Sequence, residues 1–293
     1  MVVFSFFNEH ILLNNLKVGY LGSSKTFTEK ATKEILGEVQ YFPIIPIRKV
    51  VIGVETVSLD YRVVSLDNYY NGEVRETLDS LLENTNTKII AERSMEIVHC
   101  LGALKEHKTI EKILSKDQAL EQCSRYLCQF YPKVETIATS SIAQAIEDII
   151  YGKIYDAGVI ASKSALESNG LEIIAENICP HNKTRFIVLG KQIQTSSGED
   201  KTFIAIHPIV KDKPGVLKSC LEIFSENDIN LESIQSRPDG TDGYHFYIEL
   251  IGHQDDANVK NAVDRLRKYL DPDGEYNETL RIFGSYVNTH WKL

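Results

Sequence analysis

Short apolar runs alternate with helix-like stretches over the first two thirds of the chain. Residues 17–22 predict a buried strand that stops at a glycine, and Thr26 or Thr28 can cap a helix that continues to Leu36. This alternation indicates an α/β fold with largely parallel sheets. Further apolar runs, which we interpret as strands, lie at 50–54, 61–66, 89–91 and 157–161, and helical patterns lie at 119–130, 142–150 and 163–168.

The pattern changes after a polar, Ser- and Gly-containing stretch at 191–201, which has the composition of a linker. Alternation over 202–207 places Phe203 and Ala205 on one face of a strand and Ile204 on the other. The order βαββαβ that follows is typical of a ferredoxin-like module. Its other predicted elements are a helix opened by Pro214-Gly215, strands at 230–236, 244–251 and 280–286, and a helix at 259–270.

Length and composition restrict the number of domains and the possible classes of function. At 293 residues the chain exceeds one ordinary domain, and we divide it into an extension (1–16), an α/β domain (17–190), the linker and an α+β module (202–293). The net charge of −9 argues against nucleic-acid binding, because no basic surplus exists to displace phosphate counterions. No apolar run approaches the roughly 20 residues that a membrane span needs. Five cysteines without a CxxC pair indicate reduced thiols in a cytoplasmic protein, and the histidines lack metal-ligand spacing.

Candidate chemistry stands just before the apolar run 187–189. Thr184 can donate a hydrogen bond, Arg185 can form a fork on a carboxylate, and Phe186 can exclude water. A second candidate, Asp67-Asn68, ends a predicted strand, where it can form an Asx turn or face a ligand crevice. Hydroxyls at Thr139–Ser141 precede a helix, where they can cap it or help to bind an anion.

In order and spacing, these pieces resemble the prephenate dehydratase family over residues 17–190. The most specific match is Asn182-x-Thr184-Arg185-Phe186. The C-terminal module resembles the ACT domain that follows the catalytic domain in these enzymes. The other matching motifs are Leu21-Gly22 with Thr26–Glu29, Asp67-Asn68 with Gly72, Val74 and Thr77–Asp79, Ser115 with Gln118–Leu120 and Gln122-Cys123, Ser140-Ser141 with Ala143 and Ala145, Ile160–Ser162, Gly170-Leu171, Lys213–Leu217, Ile229–Leu231 and Ser236–Pro238.

The resemblance implies a two-lobed, periplasmic-binding-protein-like catalytic domain that converts prephenate to phenylpyruvate, water and carbon dioxide. Thr184 would donate to the leaving hydroxyl, Arg185 would lie near a carboxylate or orient the loop, and Phe186 would pack the pocket. No organic cofactor or metal is implied. The implied substrate-binding residues are Thr26, Asn68, Gln118 and Ser141.

The resemblance also implies feedback control by L-phenylalanine through the ACT module, in a homodimer or homotetramer. Residues 1–16 leave no room for a fused chorismate mutase, so we expect the monofunctional form. The implied effector-binding residues are Pro214, Gly215, Val216, Leu217, Asn230, Ser236 and Arg237.

Some positions depart from the family pattern. Asp67 stands for the usual Glu, Tyr69 for a small hydroxyl residue, and Lys25 lies where Pro or Gly is usual. These changes leave open two alternatives on the same scaffold. One is a prephenate decarboxylase-like lyase that keeps the ring hydroxyl, and the other is a non-catalytic sensor of amino acids.

Overall fold

A computed structural model describes residues 16–22, 26–37, 39–53, 59–84, 86–208, 214–241, 243–276 and 279–289. The predicted extension, apart from Leu16, and Lys25 lie outside the described residues. The chain forms two compact units. Unit 1 takes the described residues up to Leu66, Arg75–Ser94 and those from Phe186 onward, whereas unit 2 takes Asp67–Val74 and Met95–Arg185.

The first sheet has the strand order β2-β1-β3-β11-β5, with the short β4 paired to β3. Strand β1 runs parallel to both β2 and β3. The predicted helix after β1 is confirmed, and its N-cap Thr26 accepts a hydrogen bond from the backbone N–H of Glu29 at 3.3 Å. The elements before residue 100 are β1 (Lys17–Leu21), α1 (Phe27–Leu36), β2 (Gln40–Ile44), α2 (Ile47–Ile52), β3 (Tyr61–Asn68), β4 (Gly72–Glu73), α3 (Arg75–Glu83) and β5 (Lys88–Glu96).

The apolar run at 50–54 is not a strand, and this prediction was wrong. Its described residues belong to α2, where Val50 and Val51 are fully buried. The helix begins after Pro46 and ends at Gly53, which has the left-handed conformation (φ 68°) common after helix ends. Periodicity cannot separate a short buried helix from a buried strand, so the flanking Pro and Gly are the decisive residues.

The second sheet, in unit 2, has the strand order β10-β6-β9-β7-β8. Strand β7 runs parallel to β8 and β9, but β6 is antiparallel to both β9 and β10. The sheets are therefore mixed, less parallel than the sequence predicts. The predicted helix at 119–130 is interrupted at Cys123. The elements between residues 100 and 182 are β6 (Cys100–Ala103), β7 (Lys112–Lys116), α4 (Asp117–Gln122), α5 (Ser124–Phe130), β8 (Glu135–Thr139), α6 (Ile142–Gly152), β9 (Ala157–Ala161), α7 (Lys163–Ser168) and β10 (Glu172–Ala175). The strand that follows them, β11 (Lys183–Gly190), belongs to the first sheet.

The third sheet is antiparallel, in the order β13-β14-β12-β15, and its elements confirm the βαββαβ prediction. Ile204 packs against the two helices, whereas Phe203 and Ala205 pack against Val64 and Ile89 of the first sheet. The alternation predicted for this strand is thus confirmed. The elements are β12 (Asp200–Ile206), α8 (Val216–Ser225), β13 (Leu231–Pro238), β14 (Tyr244–Ile251), α9 (Ala257–Leu270) and β15 (Leu280–Val287).

Residues 200 and 201, assigned to the linker from sequence, are the first two residues of β12. Both are buried, and Lys201 is fully so. The Lys201 Nζ lies 2.9 Å from a carboxylate oxygen of Glu92 in β5, 3.0 Å from Glu249 and 3.3 Å from Glu232. We call these four residues the Lys201 cluster, which joins the third sheet to the first within unit 1.

None of the helices in the described ranges combines the length and the apolar character that a membrane-spanning helix requires.

Candidate active site

Asn68 is the last residue of β3, and its side chain holds the turn that leads into β4. The Asn68 Oδ1 accepts hydrogen bonds from the backbone N–H groups of Tyr70, at 2.9 Å, and Asn71, at 3.2 Å. This is the Asx turn that the sequence left as one alternative. Since the oxygen is committed to these backbone donors, the amide nitrogen must face the other way.

The Asn68 Nδ2 faces the beginning of β11. It lies 2.7 Å from Asn182 Oδ1, 3.0 Å from the Lys183 carbonyl oxygen and 2.9 Å from Thr184 Oγ1. Its two hydrogens are shared among these three acceptors. Because Thr184 Oγ1 accepts from the amide, the hydroxyl hydrogen of Thr184 is available for donation to another group. Asn68 therefore forms a turn and also directs the predicted donor.

Two more amides extend this arrangement into the interior of unit 2. The Asn182 Nδ2 donates to Gln122 Oε1 at 2.9 Å, and the Gln122 Nε2 donates to Asn68 Oδ1 at 3.2 Å. Asn182 is fully buried, and Asn68 and Gln122 are 4% and 7% exposed. We call Asn68, Gln122 and Asn182 the amide cluster. Buried amides that satisfy one another in this way form a rigid polar support for the Thr184 hydroxyl.

His99 contacts the amide cluster from its buried side. Its Nε2 lies 2.9 Å from Gln122 Oε1, and the residue is 3% exposed. Burial lowers the pKa of His99 below its ordinary value, although the hydrogen bond with Gln122 acts in the opposite direction. The imidazole is therefore neutral at physiological pH. Since Gln122 Oε1 is an acceptor, the single imidazole hydrogen lies on Nε2.

Arg185 follows Thr184 on β11, so its side chain leaves the strand on the opposite face. The guanidinium donates through Nε to Asp67 Oδ2 at 2.9 Å, and Nη2 contacts the same oxygen. Arg185 is 7% exposed. The cation is thus neutralised by the residue beside Asn68, an arrangement that braces β3 against β11. Of the two roles expected for Arg185, this geometry matches orientation of the segment.

Comparison with known proteins adds to this geometry. Residues 18–194 match the family model described as "Prephenate dehydratase", which is more than half of the chain. The chain belongs to the prephenate dehydratase family. Residues 208–268 match the ACT domain. This family member is accordingly a hydro-lyase with a regulatory domain of the ACT type.

Individual relatives resemble the chain over most of its length. It is 37% identical to a bifunctional chorismate mutase/prephenate dehydratase of Aquifex aeolicus (strain VF5), covering 94% of this chain and 74% of that one. It is 32% identical to the prephenate dehydratase of Methanocaldococcus jannaschii, covering 93% and 98% of the two chains. Among solved structures, the prephenate dehydratase of Arthrobacter aurescens in complex with L-Phe has a TM-score of 0.78 at 27% identity, covering 93% and 90%.

Two of the other expected substrate contacts cap helices in this family member, and the third lies on the surface. Thr26 caps α1, and Ser141 caps α6 by accepting from the Gln144 N–H at 3.1 Å. Gln118 is exposed at the start of α4, whereas Gln122, one turn later, is buried in the amide cluster. The sequence predicts Gln118 as a substrate-binding residue, whereas Gln122 belongs only to the matching motif. Contact of Thr26, Ser141 and Gln118 with substrate stays a prediction.

Phe186 is the third residue of the catalytic motif. It is 2% exposed and belongs to unit 1, whereas Thr184 and Arg185 belong to unit 2. Contact of Phe186 with substrate stays a prediction.

The residues expected to bind the effector in the ACT domain also differ in their surroundings. Gly215 has the left-handed conformation (φ 89°) and caps α8, a backbone that favours glycine. Arg237 instead forms an ion pair with Asp79 at 3.0 Å and donates to the Arg75 carbonyl oxygen at 3.0 Å, both in α3. The remaining expected residues fall into two groups, with Pro214, Asn230 and Ser236 exposed and Val216 and Leu217 partly buried.

Proposed function

We propose that this protein converts prephenate to phenylpyruvate, water and carbon dioxide as a step of phenylalanine biosynthesis. The proposal is supported by family membership and by one observation above all. Thr184, the residue expected to assist loss of hydroxide, accepts at Oγ1 from the buried Asn68 amide at 2.9 Å and so keeps its own hydrogen for donation.

The reaction requires mainly that a hydrogen-bond donor be held in position at the leaving hydroxyl. The bond from the ring to its hydroxyl oxygen breaks, the bond from the ring to the carboxylate carbon breaks, and the released electron pair completes the aromatic ring. The departing hydroxide is a poor leaving group unless a hydrogen-bond donor meets it. Thr184 is a weak acid, and the amide cluster makes it effective by holding its oxygen in one place with the hydrogen directed outward.

The test is turnover of prephenate with identification of the product. We expect the aromatic product phenylpyruvate, together with one equivalent of carbon dioxide. A non-aromatic hydroxy-keto acid would identify the decarboxylase alternative, in which the hydroxyl stays. Ligand binding without turnover would identify the sensor. Tyr69, which raised the first alternative, is 66% exposed, so its bulk extends towards solvent.

We propose further that L-phenylalanine binds the ACT domain and lowers the rate. Support comes from the left-handed Gly215 at the start of α8, because the N-terminal end of a helix favours a carboxylate, and from the relative of known structure that holds L-Phe. The candidate contacts are Pro214, Gly215, Val216, Leu217, Asn230, Ser236 and Arg237. Activity and calorimetric titration with L-phenylalanine test this, and Asn230→Ala should weaken inhibition without changing the uninhibited rate.

A cytoplasmic location and a homodimer or homotetramer complete the proposal. The free state of all five cysteines agrees with a reducing compartment. Sedimentation equilibrium with and without L-phenylalanine measures the oligomeric state.

A further inference from the structure

The amide cluster continues outward to two residues that the proposed mechanism does not use. The Gln122 Nε2 donates to Asn71 Oδ1 at 2.6 Å, and the Asn71 Nδ2 donates to Glu121 Oε2 at 2.8 Å. Asn71 lies in the turn after β3, and Glu121 precedes Gln122 on α4. A continuous row of hydrogen bonds therefore runs from a surface carboxylate to the Thr184 hydroxyl.

The direction of this row is fixed at its outer end. An ionised carboxylate can only accept hydrogen bonds, so Glu121 requires the NH₂ group of Asn71 to face it. The Asn71 oxygen must then face Gln122, whose NH₂ group turns toward it. In consequence Gln122 Oε1 faces Asn182 and accepts from it at 2.9 Å. The Gln122 NH₂ group also donates to Asn68 Oδ1 at 3.2 Å, and the Asn68 NH₂ group donates to Thr184 Oγ1 at 2.9 Å.

At the inner end of the row, backbone groups orient the Asn68 amide independently of Glu121. The Tyr70 N–H can only donate, and it donates to Asn68 Oδ1 at 2.9 Å. The Lys183 carbonyl oxygen can only accept, and it accepts from Asn68 Nδ2 at 3.0 Å. Gln122 and Asn182 are bonded between these ends through side chains. The orientation of Gln122 and Asn182 is therefore set by their hydrogen bonds to Asn68 on one side and, on the other side, by Asn71 with its partner Glu121.

We propose that Asn71 and Glu121 are positioning residues, which hold Gln122 and Asn182 in one orientation and thereby keep the Asn68 amide placed for its donation to Thr184. The inference rests on the proposed function, since it assigns these residues to the same reaction. Neither residue need touch substrate. Their contribution should therefore appear in kcat rather than in KM.

Substitutions at Glu121 test the proposal with graded chemistry. Glu121→Gln keeps an oxygen that can accept from Asn71, and we expect kcat within twofold of the wild type. Glu121→Ala removes the acceptor, and we expect kcat to fall about fivefold, the scale of one hydrogen bond, with KM unchanged. Glu106→Ala, at another exposed glutamate of unit 2, is the matched control and should change neither constant.

A double-mutant cycle shows whether the effect passes through Thr184. In a Thr184→Ala background, Glu121→Ala should cause no further loss of kcat, and Asn71→Leu should behave like Glu121→Ala in both backgrounds. Wild-type kcat in both Glu121→Ala and Asn71→Leu would overturn the proposal. So would an equal loss in the Thr184→Ala background, which would mean that the row acts on something else.

A readout without turnover separates this inference from the proposed function. Neutron diffraction of the deuterated full chain should place the Thr184 hydroxyl deuterium away from Asn68 and an Asn71 amide deuterium toward Glu121. A Thr184 deuterium directed at Asn68 would overturn the inference even in an active enzyme. A protein that fails to turn over prephenate but has the expected deuterium positions would instead overturn the proposed function alone.

Discussion

In the proposed mechanism, Thr184 acts as a donor because its surroundings direct a weakly acidic hydroxyl. We predict that Thr184→Ala lowers kcat for prephenate about 10²-fold or more, the usual scale for a positioned proton donor, with KM changed little. Thr184→Ser retains the hydroxyl and the Asn68 contact, and it should keep most of the rate. Steady-state turnover measures both variants, and an unchanged rate in Thr184→Ala would remove this residue from the mechanism.

His99 gives the stability of the protein a predictable pH dependence. Burial lowers the pKa of His99 below its ordinary value of 6.5 in the folded state, while the unfolded chain titrates near that value. As the pH falls through 6.5, the unfolded state binds a proton that the folded state does not bind, so stability decreases. We predict that His99→Asn reduces the loss of unfolding free energy between about pH 7.5 and 5.5.

Urea unfolding at the two pH values measures this difference. His181→Asn, at an exposed histidine, is the control and should leave the loss as it is in the wild type. An equal loss in His99→Asn and in the wild type would show that His99 does not contribute to it.

The residues of the site differ in how well sequence predicts them. Thr184 and Asn68 can be predicted from sequence, because Thr184 belongs to a specific motif and Asn68 lies at the end of a predicted strand. Gln122 was not chosen as a site residue, although its spacing of four from Gln118 puts both on one helix face. Which of two glutamines on a helix is buried depends on what packs against it. The partner of Arg185 likewise depends on the tertiary pairing of two distant strands.

Among the elements, most of those with strong periodicity were predicted well, whereas the edge strands β2 and β8 and the interior strands β6 and β7 were missed. Strands β2 and β8 lie at the edges of their sheets and carry several exposed residues. A strand that buries few apolar side chains shows little hydrophobic pattern in the sequence. Strand β2 also contains Pro43, a residue that is rare in central strands. The ACT elements follow their predicted ranges closely.

Strand β15 packs so closely on β5 that one position requires the absence of a side chain. A Cβ at Gly284 would overlap the backbone carbonyl oxygen of Ile89, which cannot rotate away as a side chain would. We predict that Gly284→Ala lowers the free energy of unfolding by about 3 kcal/mol or more, at the upper end of overpacking effects. Urea denaturation measures it.

Gly274→Ala is the comparison for this prediction. That glycine has φ +69° and nothing within 4 Å of an added Cβ, so the substitution adds backbone strain without overlap. Its cost should be about 1 kcal/mol. Equal effects at the two sites would argue that overlap with β5 is relieved by small shifts.

At the scale of the whole molecule, the Lys201 cluster ties the ACT sheet to the catalytic part within unit 1. Lys201 is fully buried between three glutamates, and its Nζ also lies 5.7 Å from the centre of the Tyr286 ring. Removing this cation would take a positive charge away from neighbouring buried carboxylates. We predict that Lys201→Met lowers the free energy of unfolding by about 3–5 kcal/mol.

Lys218→Met provides the control for that measurement by urea unfolding. Lys218 pairs with Glu222 at 2.6 Å on the exposed face of α8, where water screens the charges. We expect no measurable change in this variant. If Lys201→Met were equally harmless, the cluster would not be a structural link.

The division of the chain between the two units also sets an order for synthesis on the ribosome. Unit 2 is complete once residue 185 has emerged, since it uses 67–74 and 95–185. The first sheet must wait longer, because β11 lies between β3 and β5 and is made only at 183–190. While unit 2 folds, the nascent chain therefore carries strands with unpaired edges, which are prone to wrong pairing. Strand β11 then completes the first sheet, and the strands made after it cover the apolar face of that sheet. The newborn chain therefore buries this face only when its regulatory module forms.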